Sequence, residues 1–151
     1  MAAVAVDTNV LISALVGHGK PRRLVAKLLE EHALVTSREI LAELADVLAR
    51  TKFDGIKSSQ VSQFLSILVS KAIVVRVRQY LKVIAEDPDD NIVLSTAWEG
   101  KANYVVSGDK HLLNLKDFRG IRIVTAKEML GLLHVGHGEN SQQSVSGSVI
   151  A

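Results

Sequence analysis

The first residues of the chain form a short apolar run that ends at a carboxylate. Ala2 to Val6 form a short run of apolar and β-branched residues, which is typical of a strand buried on both faces of a parallel sheet. Asp7 follows directly, and helical spacing of apolar residues begins at Val10. An aspartate between such a strand and a helix lies at the carboxyl edge of the sheet, where open α/β folds bind their ligands. On this stretch alone, a simple helix cap formed by Asp7 or Thr8 is an equally good interpretation.

Segments with strand and helix patterns alternate along the rest of the chain. Further helices are predicted at about 21–31, 36–50, 59–71, 87–99 and 126–133, and further strands at about 33–35, 72–77, 103–106 and 120–124. This alternation favours an α/β fold with a parallel sheet that helices cover on both faces.

Composition limits the class of protein further. A chain of 151 residues, 48% apolar and 23% charged, fits one globular domain. It contains no cysteine, which excludes disulfides and thiolate metal sites. We expect a cytoplasmic protein, since no apolar run is long enough to cross a membrane and the N-terminus lacks a signal-peptide pattern. Gly, Ser, Gln and Asn dominate the end of the sequence, so we expect a domain over 1–133 and a flexible tail over 134–151.

A stripe of charged residues runs along the predicted helix 36–50. Glu39 suits a capping box with Thr36, and Asp46 can pair with Arg50 one turn later. Glu43 has no comparable partner and borders the apolar face of the helix, which places it to point into a cleft. Taken by itself, a solvated helix face remains the better interpretation of Glu43.

Three aspartates, Asp87, Asp89 and Asp90, surround the start of another predicted helix. The helix dipole favours acids in a first turn, so one or two of them need no further explanation. Asp90, however, shares a face with apolar residues that must pack inward, and a buried carboxylate needs a cation or a hydrogen-bond donor. Asp90 is therefore the functional candidate, Asp87 the candidate cap and Asp89 an accessory ligand.

Asp109 repeats the arrangement of Asp7, because it follows a buried strand and the small residues Ser107 and Gly108. The alternative is a common Ser-Gly-Asp turn. If four acids meet at one edge of the sheet, they repel one another and raise each other's pKa, which a hard divalent cation relieves. Without cysteine and without ligand spacing among the five histidines, oxygen ligands favour Mg²⁺ or Mn²⁺.

The chemistry expected of such a metal site is hydrolysis of a phosphodiester by an activated water. Three neutral residues are best placed to orient a water or a ligand: Thr8, Asn9 and Ser107. Four basic residues near the predicted rim are candidates for holding a nucleic-acid backbone: Lys20, Arg22, Arg23 and Lys110. Trp98 and the few other aromatic residues are expected in the core rather than in a base-stacking surface.

Four short motifs resemble those of the PIN-domain family in order and in spacing. They are Val6–Leu11, Glu39–Leu44, Asp87–Asn91 and Val106–Lys110. The resemblance covers about 2–133 and is greatest to prokaryotic PIN proteins of toxin–antitoxin systems, the VapC-like toxins. No single motif is specific, but the ordered set is.

The resemblance implies a three-layer α/β/α sandwich with a central, mainly parallel sheet. It implies a Mg²⁺- or Mn²⁺-dependent endoribonuclease that acts on RNA, with metal-binding acids at Asp7, Glu43, Asp90 and Asp109. It also implies a homodimer and inhibition by a cognate antitoxin protein.

The chain departs from the family pattern at two positions. Ser107 replaces a threonine that often precedes the last aspartate, and it keeps the hydroxyl group. His111 stands where many members carry another acid. This second departure leaves a fifth acidic ligand, and with it a second metal, without support.

Three alternatives to a nuclease share parts of the pattern. A haloacid-dehalogenase-like phosphatase would need an aspartate in place of Asn9, and a response-regulator receiver has no place for a helical Glu43. A non-catalytic PIN-like module for RNA or protein binding fits the fold equally well. Such a module has no need of the acids, and all four are present, so the sequence favours the nuclease.

Overall fold

The computed structural model describes residues 1–84 and 88–134, in which helices and strands alternate. The expected cap Asp87 and the expected tail from residue 135 onward lie outside the described residues. The elements are β1 (Ala3–Val6), α1 (Thr8–Val16), α2 (Lys20–Glu31), β2 (Ala33–Ser37), α3 (Arg38–Arg50), α4 (Ser58–Lys71), β3 (Ile73–Val75), α5 (Pro88–Glu99), β4 (Tyr104–Val106), α6 (Lys110–Leu115), β5 (Asp117–Phe118), β6 (Ile121–Val124) and α7 (126–134).

The six described strands form one sheet in the order β3-β2-β1-β4-β6-β5. Every pair is parallel except β5 and β6, which are antiparallel. The predicted α/β fold with a mainly parallel central sheet is therefore confirmed. The chain builds outward from β1 to β3 and then returns to place β4 on the other side of β1. Such a reversal of strand order opens a crevice at the carboxyl ends of β1 and β4, the usual ligand position of open α/β sheets.

The core of the protein lies on both faces of β1. Val4, Ala5 and Val6 have no exposed surface, as predicted for a central parallel strand. Leucines from the surrounding helices, including Leu11 and Leu94, are equally buried against the sheet. None of the helices in residues 1–84 and 88–134 has the length and apolarity needed to cross a bilayer.

The start of α3 differs from the prediction by one residue. Ser37, not Thr36, is the cap, since its Oγ accepts a hydrogen bond from the backbone N–H of Ile40 at 3.2 Å. Thr36 remains inside β2 and is fully buried. Glu39 makes no capping box and instead accepts a hydrogen bond from the Tyr80 hydroxyl at 2.9 Å. β2 continues two residues beyond its apolar run, through Thr36 and Ser37. Their short hydroxyl side chains are compatible with pairing in a parallel sheet.

The structure confirms one predicted ion pair and contradicts the predicted burial of Trp98. The Asp46–Arg50 pair is confirmed, with 3.1 Å between the carboxylate and the guanidinium. Trp98 is 41% exposed, so its expected place in the core is wrong. The short elements α6 and β5 were not predicted, because six and two residues are too few to display a period.

The C-terminus of α5 is closed by a tight turn against β2. The N–H of Ala102 donates to the carbonyl of Ala97, and the N–H of Lys101 donates to that of Trp98, which is the Schellman pattern. Lys101 takes the left-handed position of this turn, with φ of 53°. Gly100, one residue earlier, is required for a different reason: a Cβ there would lie 2.5 Å from Cγ1 of the buried Val35.

We expect the substitution Gly100→Ala to destabilise the protein by about 1–3 kcal/mol, because the new methyl group overpacks a rigid contact between α5 and β2. Urea unfolding followed by circular dichroism measures the change. Gly131→Ala is the matched control, since nothing lies within 4 Å of a Cβ at that helical position. The control should raise the free energy of unfolding by up to about 1 kcal/mol. Equal effects of the two substitutions would contradict the packing argument.

Candidate active site

Asp7 is held at the carboxyl edge of the sheet by the pairing of β1 with β4. Val6 and Val106 are partners in the parallel register, and the backbone N–H of Asp7 donates to the carbonyl of Val106 at 3.0 Å. This register brings Ser107 beside Asp7, and its hydroxyl donates to Oδ2 of the carboxylate at 2.7 Å. Asp7 occupies the cap position of α1. Its carboxylate lies beside the Ser107 hydroxyl and close to the backbone amides of Thr8 and Asn9, the first residues of α1.

The pKa of Asp7 is raised above its ordinary value, chiefly because the carboxyl group is buried. Its residue is only 8% exposed. The hydrogen bond from Ser107 and the backbone amides of Asn9 and Thr8 act in the opposite direction, and the negative charge of Asp109 adds to the increase. A carboxylate in this environment is stabilised by a nearby cation.

Glu43 reaches the same crevice from α3. Its Oε1 accepts a hydrogen bond of 2.6 Å from the hydroxyl of Thr8, the first residue of α1. Partial burial raises the pKa of Glu43, and the neighbouring acids Asp89 and Asp7 raise it further, while the Thr8 hydroxyl opposes them. Glu43 therefore lies beside the start of α1 and close to Asp7 and Asp89, and its role there stays a prediction.

A group able to hold a metal ion forms between the start of α5 and the start of α6. Asp90, Asp109 and His111 each offer one ligand atom, and these atoms all lie within 4.8 Å of one another. Asp90 is 4% exposed, as its place on the inward face of α5 predicts. Oδ1 of Asp109 also accepts a hydrogen bond from the backbone N–H of His111 at 2.8 Å. Asp109 therefore forms the expected turn and is also a candidate metal ligand.

The donors of this group suit a divalent cation. Two carboxylates supply hard oxygen ligands, and the imidazole Nδ1 of His111 lies 3.7 Å from Oδ1 of Asp109. Carboxylate oxygens and an imidazole nitrogen are both donors that divalent cations accept. The buried Asp7 supplies negative charge to the same site through its interaction with Asp109.

His111 is a ligand candidate that the sequence pattern does not identify. The five histidines show no ligand spacing, and His111 stands where many family members carry an acid. The structure places it beside Asp90, because α6 begins directly after Asp109 and its first turn faces the start of α5. The available signal was its position two residues after a strand-end aspartate.

The accessory and rim residues occupy different environments. Asn9 and Asp89 are exposed near the acids, whereas Thr8 and Ser107 are buried and hold Glu43 and Asp7. Three of the four candidate RNA-binding residues are exposed on the surface: Lys20, Arg23 and Lys110.

Arg22, the fourth candidate, is engaged in a structural role. Its guanidinium donates to the carbonyls of Ala14 at 3.0 Å and Leu15 at 2.6 Å, at the end of α1. It also contacts Nδ1 of His18 at 2.9 Å. These contacts stabilise the turn between α1 and α2 and leave Arg22 little capacity for a phosphate.

The fold and the site define an α/β protein with carboxylates at the switch point of its sheet. The chain matches the family model described as PIN domain over residues 3–111 and belongs to that family. The family predicted from the four sequence motifs is therefore confirmed. No curated protein matches the sequence.

Solved structures of low sequence identity are similar to this chain, and two of them illustrate the likeness. One is a chain in the crystal structure of VapBC2 from Rickettsia felis bound to a DNA fragment from their promoter. It is 17% identical, with a TM-score of 0.57, and the match covers 80% of this chain and 96% of that chain. The other is PAE2754 from Pyrobaculum aerophilum, with 18% identity, a TM-score of 0.61, and coverage of 89% and 90%. At this identity the similarity establishes the shared fold.

The raised pKa of Asp7 gives a testable pH dependence for the metal-free protein. The folded protein binds a proton at Asp7 more tightly than the unfolded chain does, so this residue's contribution to stability is largest at acidic pH. The contribution falls as pH rises from the ordinary value of 3.8 through the raised value. We expect Asp7→Asn, which keeps a hydrogen-bond acceptor for Ser107, to be more stable than the wild type at pH 7 in EDTA.

Urea titrations from pH 4 to pH 8 measure this difference, and the stability of Asp7→Asn should decline less steeply with pH. Asp46→Asn, an exposed acid of α3 in an ion pair, is the control and should follow the wild-type curve. If Asp7→Asn were less stable than the wild type at pH 7, burial of the charged carboxylate would not be destabilising.

Proposed function

We propose that the protein is a divalent-metal-dependent endoribonuclease that hydrolyses RNA phosphodiester bonds. The observation that carries the proposal is the meeting of Asp90, Asp109 and His111 within ligand distance at the edge where the buried Asp7 also lies. Membership in the PIN domain family supports nuclease chemistry, and divalent metals are the general cofactors of such nucleases. RNA as the substrate and Mg²⁺ or Mn²⁺ as the cation are parts of the proposal.

In this proposal Asp90, Asp109 and His111 hold the cation, with Asp7 and Glu43 as the remaining acids of the site. When bound, the cation supplies charge stabilisation to the phosphodiester and activates a water. Ser107 fixes the orientation of the Asp7 carboxylate through its 2.7 Å hydrogen bond. Thr8 fixes the orientation of Glu43 in the same way, through a hydrogen bond of 2.6 Å.

We further propose that the nuclease is the toxin of a toxin–antitoxin pair, acting in the cytoplasm as a homodimer that a cognate antitoxin inhibits. The ordered acidic motifs and the fold shared with a chain of the VapBC2 complex support this assignment. Exposed Lys20, Arg23 and Lys110 are candidates for holding the RNA backbone.

A non-catalytic PIN-like module for RNA or protein binding is the alternative. Two acids, Asp7 and Glu43, have pKa values that are raised mainly by burial, and each is raised further by a neighbouring acid. A binding module gains nothing from buried carboxylates that repel one another. A metal enzyme uses such carboxylates to bind its cation. The nuclease is therefore the better-supported function.

Cleavage of a panel of structured and single-stranded RNAs by the purified protein tests the proposal. We expect cutting with Mg²⁺ or Mn²⁺, no cutting in EDTA, and a decrease of about 100-fold or more for Asp7→Asn. Asp46→Asn should cleave like the wild type, because Asp46 pairs with Arg50 away from the site. Expression of the wild type, but not of Asp7→Asn, should arrest bacterial growth if the protein is a toxin.

Other results would favour the alternative. Cutting that is indifferent to EDTA and to Asp7→Asn would indicate a contaminating nuclease and a binding module. Metal-dependent cutting without growth arrest would keep the nuclease and remove the toxin assignment.

The role of His111 as a ligand can be tested without an activity assay. We expect His111→Gln to weaken Mn²⁺ binding about tenfold and Mg²⁺ binding less, because imidazole contributes more to Mn²⁺ than to Mg²⁺. Titrations followed by electron paramagnetic resonance of Mn²⁺ measure the first affinity, and competition by Mg²⁺ gives the second. His134→Gln is the control, since His134 lies at the end of α7. An unchanged Mn²⁺ affinity in His111→Gln would show that His111 is not a ligand and that the carboxylates alone bind the metal.

A further inference from the structure

An open groove of about 840 Å³ lies at the edge of the sheet opposite to the acids. It is lined by residues that precede or begin β4 and β6, including Asn103 and Ile121, whereas Asp7 and Asp109 follow the carboxyl ends of their strands. The end of α5 forms another wall. We call this surface the basic groove, after four of its lining residues: Arg78, Lys101, Arg119 and Arg122.

The charge of the basic groove is strongly positive. All four of its cationic residues are exposed. Among the described residues that line it, Glu99 is the one carboxylate, and it accepts a hydrogen bond from the backbone N–H of Arg78 at 3.1 Å. Several cations along one open surface are suited to a polyanion.

Trp98 adds an aromatic surface to these charges. The side chain lines the groove and the residue is 41% exposed, although it is large and apolar. The guanidinium of Arg119 lies 4.7 Å from the centre of the Trp98 ring and 4.9 Å from that of Phe118. An aromatic ring with a neighbouring planar guanidinium offers surfaces on which a nucleic-acid base can stack.

Two of the cations occupy backbone positions that normally favour glycine or asparagine. Lys101 has φ of 53° in the turn after α5, and Arg119 has φ of 51° in the tight turn between β5 and β6. Glycine would adopt either conformation more easily. The chain instead carries long cationic side chains at both turns, and both line the same groove.

We propose that the basic groove binds single-stranded nucleic acid. The four cations contact the phosphates, and Trp98 with Arg119 stacks on an unpaired base. An acidic peptide would satisfy the cations but leaves the aromatic surface without a partner, and a duplex keeps its bases stacked out of reach. The site is distinct from the acid cluster, because Trp98 follows Asp90 by eight residues and thus lies about 12 Å along the axis of α5.

Trp98 is the only tryptophan of the chain, so its fluorescence reports directly on the groove. The test titrates the full-length protein with an eight-nucleotide oligouridylate in EDTA, where no metal-dependent cleavage occurs. We expect saturable quenching and a dissociation constant that rises steeply with salt. Arg119→Gln and Arg122→Gln should each weaken binding about tenfold, and each lost phosphate contact should lower the salt slope by about 0.7.

Lys52→Gln removes one exposed positive charge outside the groove and should bind like the wild type. Anisotropy of a labelled oligonucleotide gives a second measurement, since Arg119→Gln also changes the surroundings of Trp98. Circular dichroism confirms that each variant is folded. A deoxyuridine oligomer that binds as well as the RNA supports the proposal equally, because phosphates and bases are common to both.

Three results would overturn the proposal. One is equal affinity of Arg119→Gln, Arg122→Gln and Lys52→Gln for the oligonucleotide. Another is loss of binding in Lys110→Gln with no loss in the groove variants, which would place the nucleic acid at the carboxyl edge. The third is equal competition by polyglutamate, which would show that negative charge suffices without bases. None of these results bears on the cleavage assay, so the proposed nuclease and the basic groove stand or fall separately.

Discussion

The burial of the Asp7 carboxylate is the constraint on which the site depends. A carboxylate at the end of a fully buried strand is tolerable only with donors and a cation close by. The parallel pairing of β1 with β4 supplies the donor, because Val6 opposite Val106 puts Ser107 next to Asp7. A slip of one residue in this register would turn each side chain of the strand to the other face and separate the two groups. The chemistry of the site therefore depends on the packing of the sheet.

Local patterns along the chain were enough to predict five of the six described strands and the burial of Asp90. The burial of β1 and of Asp90 follows from apolar runs and helical faces, both of which are properties of neighbouring residues. The position of His111 beside Asp90 could not be predicted, since it depends on how α5 and α6 meet in space. The exposure of Trp98 was missed for a related reason, because a tryptophan at the end of an amphipathic helix can pack or project. Ser37 replaced Thr36 as a cap because strand pairing extended through both.

The two edges of the sheet differ in charge, which the formal net charge of +2 conceals. Acids collect at the carboxyl ends of the strands, and cations collect at the amino ends in the basic groove. The helix α5 joins the two regions, with Asp90 in its first turn and Trp98 in its last. The tight contact of Gly100 with Val35 fixes the end of this helix against the sheet. The spacing between the two charged regions is thereby set by a rigid element.

The acids of the crevice come from widely separated parts of the chain, and the hydrogen bond between Ser107 and Asp7 spans 100 residues. Contacts of such separation form late, after the intervening chain has been closed into a loop. During translation, the proposed ligand set of Asp90, Asp109 and His111 cannot be complete before residue 111 of 151 has left the ribosome. A nascent or truncated chain thus carries Asp7 and Glu43 without the ligands that would complete the site. For the proposed ribonuclease, this order of assembly would leave the growing polypeptide without a complete site beside the message that encodes it.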